Sequence, residues 1–312
     1  MKALITGVTE FVGFHLAEHL LSEGDEVYGI CRWRSKTDNI AGVSGIHLLN
    51  GDIRDATCLH RILSEVNPDA VYHLAAQSFV LESWNSPLET LTTNVLGTAA
   101  LLEAARACSH CVVHVAGSSE EYGLIDKIPI TESFPLRPQS PYAVSKVACD
   151  LLAQQYYRSF GIKTVITRAF NHTGPRRGEV FVTSTFAKQI AEIEKGKQPV
   201  IKVGNLDARR DFSDVRDIVR AYRLAVLRCR YGEPYNVCSG VARKVSEVLD
   251  LLLSLSKVKN IRIERDANRM RPSDVPILLG DCSKFRKETG WKPTYLFGQT
   301  MLDLLNYWRE RC

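Results

Sequence analysis

The stretch ALITGVTEFVGFHLAEHLL, residues 3–21, reads as a buried strand, a tight turn and an amphipathic helix. Val12, Leu16 and Leu20 fall on one helical face, and Gly24 marks the end of that helix. Gly7 and Gly13 have the spacing of a phosphate-binding turn, in which the first glycine makes the turn and the last lets the helix pack on the strand. The position between them, where a third glycine would let a pyrophosphate approach the backbone, is Glu10. A carboxylate there adds bulk and a charge of the ligand's own sign. The partial match leaves two readings open, a dinucleotide turn and a simple strand-to-helix turn.

Outward from this unit the same order repeats. KALIT, EVYGIC, IHLL, AVYHLA, CVVHVAG and KTVITRAF read as strands, with helical patterns beginning near Val12, Asp55, Pro87 and Ser140. Alternation of this kind implies an α/β fold: a doubly wound parallel sheet covered on both faces, with ligands beyond the carboxyl ends of its strands. After about residue 170 the alternation loosens, and Pro, Arg and Gly cluster in NHTGPRRGEVF and RMRPSDVPILLGD. The expected division is a cofactor domain over 1–170 and a smaller substrate-binding α/β part over 171–312, with segments near 211–240 returning to the first domain.

The 312 residues are 45% hydrophobic and 24% charged, enough apolar material for a full core. A net charge of +5, with the basic residues scattered, favours anionic small molecules over nucleic acid. No basic-then-apolar leader precedes the first strand, and no apolar run approaches the ~18 residues of a membrane span, so the expected location is the cytoplasm. The nine cysteines are irregularly spaced, and the lone CxxC of Cys108 and Cys111 has no second pair, which points to reduced thiols without a metal.

Where a site for NAD would present an acid at the end of the second strand, this chain reads CRWRS, with Arg32 and Arg34. Arginines suit a 2′-phosphate, which favours NADP over NAD, with a solvated basic loop as the alternative reading. Asp52, beyond the third strand, is placed either to meet an adenine or to sit in a helix N-terminal cap region. In SPYAVSK, Tyr142 and Lys146 are four apart and share a helix face. A lysine cation beside a phenol favours the phenolate and suits Tyr142 to acid–base work. Upstream, HVAGSSEEYG ends an apolar strand in hydroxyls and carboxylates at the ligand edge of the sheet. Ser118, Tyr142 and Lys146 together make a set for hydride transfer at a carbinol carbon.

With these motifs the chain resembles the extended short-chain dehydrogenase/reductase superfamily. Within it the likeness is to the GDP-mannose 4,6-dehydratases and the related GDP-4-keto-6-deoxymannose reductases. It runs the whole length, through ITGVTEFVG, GDIRDA, HLAAQSFV, TNVLGT, GSSEEYG, SPYAVSK, FNHTGPRRGEVFVT, VGNLDARRDFSDVRD, YNVCSG, RMRPSDVP and TGWKP. The resemblance implies a Rossmann sheet binding NADP through Gly7, Glu10, Phe11, Val12, Gly13, Arg32, Arg34, Ser35, Asp52, Ile53, Leu74, Ala75, Ala76, Tyr142 and Lys146. It implies that Ser118 binds the sugar 4-oxygen, that Tyr142 moves its proton, and that Lys146 holds the nicotinamide ribose. Glu120 falls where a dehydratase takes the C5 proton and expels the C6 hydroxyl. Ser78, Asn171, Val182, Lys188, Arg209 and Arg271 match positions that hold the GDP-sugar. The CRWRS segment resembles a loop that reaches a neighbouring subunit's cofactor, which implies a homodimer or homotetramer.

Both enzymes need NADP and the same triad. Glu120 permits dehydration without proving it, since relatives that only reduce the ketone can carry an acid there. RWRS and PRRG favour the dehydratase, whereas TGVTEFVG, RDFSDVRD, YNVCSG and the short length lean to the reductase. The catalytic acid and the Arg-rich loops put the dehydratase first. A third reading, a nucleotide-binding protein with impaired catalysis, follows if Glu10 spoils the cofactor turn.

Overall fold

The computed structural model describes residues 1–270 and 274–312. The first half runs β1 (Lys2–Thr6), α1 (Phe11–Ser22), β2 (Glu26–Cys31), β3 (Ile46–Asn50), α2 (Ala56–Val66), β4 (Ala70–His73), α3 (Val80–Asn85), α4 (Pro87–Leu91), α5 (Gly97–Ala105), β5 (Val112–Ala116), α6 (Pro141–Phe160) and β6 (Thr164–Ala169). The second half runs β7 (Asn171–Thr173), α7 (Val182–Glu194), β8 (Val200–Val203), β9 (Arg209–Asp214), α8 (Val215–Arg228), β10 (Pro234–Val237), β11 (Ala242–Lys244), α9 (Val245–Ser254), β12 (Arg262–Arg265), β13 (Ile277–Leu278), α10 (Ser283–Thr289) and α11 (Phe297–Arg309).

The large sheet has the order β3-β2-β1-β4-β5-β6-β10, and every neighbouring pair is parallel. Parallel strands need crossovers, so helices cover both faces, and the strand order reverses between β1 and β4, where the sheet opens a ligand crevice. One face is sealed by Leu16 and Leu20 of α1 with Ile218, Ala221 and Tyr222 of α8. The other is sealed by Leu59, Ile62 and Leu63 of α2, Leu101 and Leu102 of α5 and Ala153 of α6. The strands are legible as apolar runs because both of their faces are buried.

Beyond β6 the chain builds a second sheet around β9, with β7 and β13 parallel to it and β11 antiparallel. A third core joins Phe186 and Ile190 of α7, Leu249 and Leu252 of α9, and Met301, Leu304 and Leu305 of α11. The strand Pro234–Val237 crosses back to pair with β6 at the edge of the large sheet.

The helical pattern expected from Pro87 is interrupted: α4 passes into a π-helical stretch at Thr92–Leu96 before α5. The widened turn buries Asn94, which accepts from the Gln77 amide at 2.8 Å and donates to the Gln77 carbonyl at 3.0 Å and to Ser145 Oγ at 2.9 Å. The loop after β4 is thereby tied to α6. All nine cysteines are free. Among the described residues, no helix is long and apolar enough to cross a membrane.

Candidate active site

The helix α6 starts where local chemistry requires it to. The Ser140 hydroxyl accepts from the Ala143 amide at 3.1 Å, Pro141 occupies the first turn, and Gly161 ends the helix at φ +71°. Tyr142 and Lys146 are both buried one turn apart, with Lys146 Nζ 6.0 Å from the Tyr142 ring centroid. Nζ also donates to the carbonyl of Ala116, the last residue of β5, at 2.7 Å. This bond fixes the Tyr142–Lys146 face of the helix on the carboxyl end of the strand. Ser118 follows directly, almost buried, its hydroxyl accepting from the Glu120 amide at 3.2 Å. Glu120 is half-buried. A hydroxyl, a carboxylate, a phenol and an ammonium are thus brought to one end of β5, the set needed to hold a carbinol oxygen and move protons at it and at a neighbouring carbon.

A cavity of about 220 Å³ lies across the switch point between β1 and β4. Gly7, Glu10, Arg32, Ser35, Asp52, Ile53, Ala75 and Ala76 line it. Gly7 sits at φ +75°, and a Cβ there would lie 3.0 Å from the Ala75 backbone. A Cβ on Gly13 would fall 2.1 Å from the Gly7 carbonyl oxygen. Packing alone therefore accounts for the first and third glycines. The Thr6 hydroxyl accepts from the amides of Leu74 and Ala75, each at 3.1 Å, which holds the two crevice loops together. Leu74 and Val12 turn toward the apolar core under α1. The Phe11 ring stacks on His172, centroids 6.1 Å apart.

Glu10 is exposed at the start of α1; its amide donates to the Gly7 carbonyl at 3.1 Å, and its side chain makes no capping bond. The backbone keeps the turn, and the residue's remaining effect is its charge on the cavity lining. Glu10→Gly is expected to tighten NADP binding by up to about tenfold, most at low ionic strength, where a carboxylate–phosphate repulsion on the order of 1 kcal/mol is least screened. Titration at two salt concentrations checks this; unchanged or weaker affinity at low salt shows Glu10 to be neutral or supportive.

Of the two expected arginines, Arg32 lines this cavity. The Arg34 guanidinium lies 4.4 Å over the ring of Trp33, which is 76% exposed, and Arg34 is not on the cavity wall. Arg54 is on the wall. It pairs with Asp52 through Nε–Oδ1 at 3.0 Å and Nη2–Oδ2 at 2.6 Å, and its hydrogen bonds hold the Asp52 carboxyl below the usual carboxylate range. Arg32 and Arg54 together make the basic rim.

A second cavity, of about 420 Å³, opens between the large sheet and the C-terminal part. Asn171 and Val182 line it. Arg209 is exposed, and because successive side chains of a strand alternate, its neighbour Arg210 faces the cavity instead. Arg210 is buried, with Nη2 2.6 Å from Asp274 Oδ1 and Nη1 2.7 Å from the Val275 carbonyl oxygen. Lys188 is drawn away by an ion pair with Glu179 and lies 5.4 Å over the Trp308 ring. Ser78 is exposed between Gln77 on the smaller cavity and Phe79 on the larger. Arg271 lies outside the described residues.

Two residues of NHTGPRRG beyond Asn171 also face this cavity. Arg177 is clamped between Phe11 and Phe181, 4.9 and 3.4 Å from their ring centroids. Burial pulls its guanidinium down to about 10, an effect that the nearby Tyr142 and Tyr222 phenols partly oppose. His172 donates from Nδ1 to the Phe170 carbonyl at 3.0 Å, and burial, with the Arg177 charge, lowers it to about 4. It is therefore a neutral imidazole at pH 7 with Nε2 as an acceptor. The first turn of α6 is connected to both cavities, through Asn94 and Gln77 on one side and Arg177 on the other.

The family model for GDP-mannose 4,6-dehydratase matches residues 4–304. The chain belongs to this family. A GDP-mannose 4,6-dehydratase of Vibrio cholerae is 35% identical over 334 residues, 94% of this chain and 89% of the relative. The GDP-6-deoxy-D-mannose reductase of Pseudomonas aeruginosa is 37% identical over 249 residues, 78% of this chain and 81% of the relative. The solved structure of RMD from Pseudomonas aeruginosa, complexed with NADPH, superposes with a TM-score of 0.85 at 32% identity, covering 100% of both chains. The seven-stranded sheet and its crevice are thus those of a dehydratase family whose relatives carry the names of both activities.

Proposed function

We propose that this protein is an NADP-dependent GDP-mannose 4,6-dehydratase, producing GDP-4-keto-6-deoxymannose. The observation that carries this reading is the half-buried Glu120 beside Ser118 at the end of β5, against the helix that bears Tyr142 and Lys146. Membership in the family supports it.

The smaller cavity suits the cofactor: Gly7, Ala75 and Ala76 are on its wall, and Arg32, Arg54 and Ser35 supply donors for an adenosine 2′-phosphate. When bound, NADP supplies the hydride acceptor at C4 of the sugar and the donor at C6. Ser118 holds the 4-oxygen. Tyr142, in its phenolate form, takes the proton of the 4-hydroxyl and becomes the phenol, with the Lys146 ammonium on the same helix face. Glu120 removes the C5 proton, which the new ketone has acidified, and passes it to the departing C6 hydroxyl. Hydrogens removed at C4 and O4 return at C6 and C5, and the net loss is one water. Arg210 faces the diphosphate, and residues 171–312 form the nucleotide-sugar part, with 211–240 serving the large sheet. The exposed Trp33–Arg34 loop supports a homodimer or homotetramer in which it meets a second copy.

The second reading is an NADPH-dependent GDP-4-keto-6-deoxymannose reductase, favoured by the 37% identity to the Pseudomonas aeruginosa reductase. The test is the fate of GDP-mannose incubated with the protein and a trace of NADP, read as loss of one water.

A further inference from the structure

The motif GSSEEY holds a second glutamate that the chemistry above does not use. Glu121 has no exposed surface, although it directly follows the half-buried Glu120. Its Oε1 accepts the Ser118 amide at 2.6 Å and would lie 2.7 Å from a Cβ at Gly117, so the carboxyl fills the space that a side chain there would need. Its Oε2 is 3.3 Å from Arg168 Nε. Arg168 Nε in turn binds Asp150 Oδ2 at 2.8 Å, and Asp150, also without exposed surface, is one turn beyond Lys146 on α6. Arg168 Nη1 donates to Tyr122 Oη at 3.0 Å, and Tyr122 Oη donates to Asn236 Oδ1 at 2.7 Å. Three ionisable side chains from the catalytic loop, the catalytic helix and β6 therefore meet in the interior directly behind the reacting groups.

We propose that Glu121 is a positioning residue: through Arg168 and Asp150 it locks the backbone of Ser118, and with it the aim of Ser118 and Glu120, to the helix that carries Tyr142 and Lys146. The inference rests on the reading of Ser118 and Glu120 as reacting groups. Ser118 is the last residue before a single 3₁₀ turn, and its amide is held by the Glu121 carboxyl while its hydroxyl caps the Glu120 amide. Loss of the carboxyl frees that amide and lets the turn rotate. Burying an ion pair and a further carboxyl costs desolvation that apolar residues would avoid, so what the cluster contributes is fixed orientation rather than stability. Burial first, and then the Asp150 charge, push the Glu121 carboxyl well above its usual range. A neutral amide of the same shape should therefore substitute for it.

The experiment compares Glu121→Gln and Glu121→Leu with the wild type by steady-state kinetics, NADP titration and amide hydrogen exchange at Ser118. Glu121→Leu is expected to lower kcat by about 30- to 100-fold, the scale of a small misplacement of reacting groups, with KM and the NADP Kd changed less than threefold. Its Ser118 amide should lose protection while β5 keeps its own. Glu121→Gln should retain both kcat and protection. If Glu121→Leu does not fold, Glu121→Asp, one methylene shorter, takes its place and should lose kcat by about tenfold or more with the same local loss of protection. Unchanged kcat and Ser118 protection in the leucine or aspartate variant would overturn the proposal, as would a glutamine variant as impaired as the leucine one. Should the wild type turn over neither GDP-mannose nor its 4-keto-6-deoxy product, the functional reading fails, and exchange at Ser118 still decides the part played by Glu121.

Discussion

Glu120→Gln is expected to stop formation of the dehydrated product, lowering kcat by about 10²–10⁴-fold, the range that a positioned general acid–base group contributes. Glutamine keeps the size and the amide–hydroxyl contact with Ser118, which uses the Glu120 backbone, so the local turn should persist. Oxidation at C4 does not need this carboxylate. Mixing the variant with GDP-mannose and NADP should therefore give NADPH absorbance that rises and does not decay into product. Full activity in Glu120→Gln would remove the carboxylate from the chemistry.

Tyr142→Phe is expected to lose about 10²–10⁴-fold as well, at the earlier step. The ring stays in its buried place, and Lys146 keeps its bond to the Ala116 carbonyl, so NADP binding should change little. Without the phenol no group takes the proton from the 4-hydroxyl, and the rapid-mixing trace should stay flat. The two variants are thus separated by one observable: absorbance accumulates in Glu120→Gln and is absent in Tyr142→Phe. Accumulation in Tyr142→Phe would show that another group serves as the base at O4.

The large sheet is legible in the sequence because strands buried on both faces appear as continuous apolar runs, from ALI at the start to VVHVA of β5. Gly7 and Gly13 are legible because their reasons are local, a positive φ and the close approach of helix to turn. Tyr142 and Lys146 are legible through helical spacing. Other features depend on partners distant in the chain. Arg209 and Arg210 differ by one step of a strand, and only the pairing of β9 decides which faces the cavity. Arg54 reads as a loop cation until its bidentate contact with Asp52 places it on the wall of the crevice at the switch point. Arg177 needed the aromatic clamp of Phe11 and Phe181 to show where it goes, although doubled arginines beside a conformationally constrained Gly-Pro were a usable signal. Glu121 in SSEEY looks like part of a solvated acidic edge, because its burial comes from Arg168 and Asp150 on two other elements. The π-helical step at Thr92–Leu96 has no side-chain pattern of its own, since its purpose, the placement of Asn94, is tertiary.

The most direct test of the dehydratase reading is redox stoichiometry. With GDP-mannose in large excess over NADP and no added reductant, the product should exceed the cofactor many-fold, each molecule lighter by one water, with no net NADPH formed or consumed. If GDP-mannose is recovered intact while NADPH is oxidised mole for mole against the 4-keto-6-deoxy sugar, the protein is a reductase and the role given to Glu120 is contradicted.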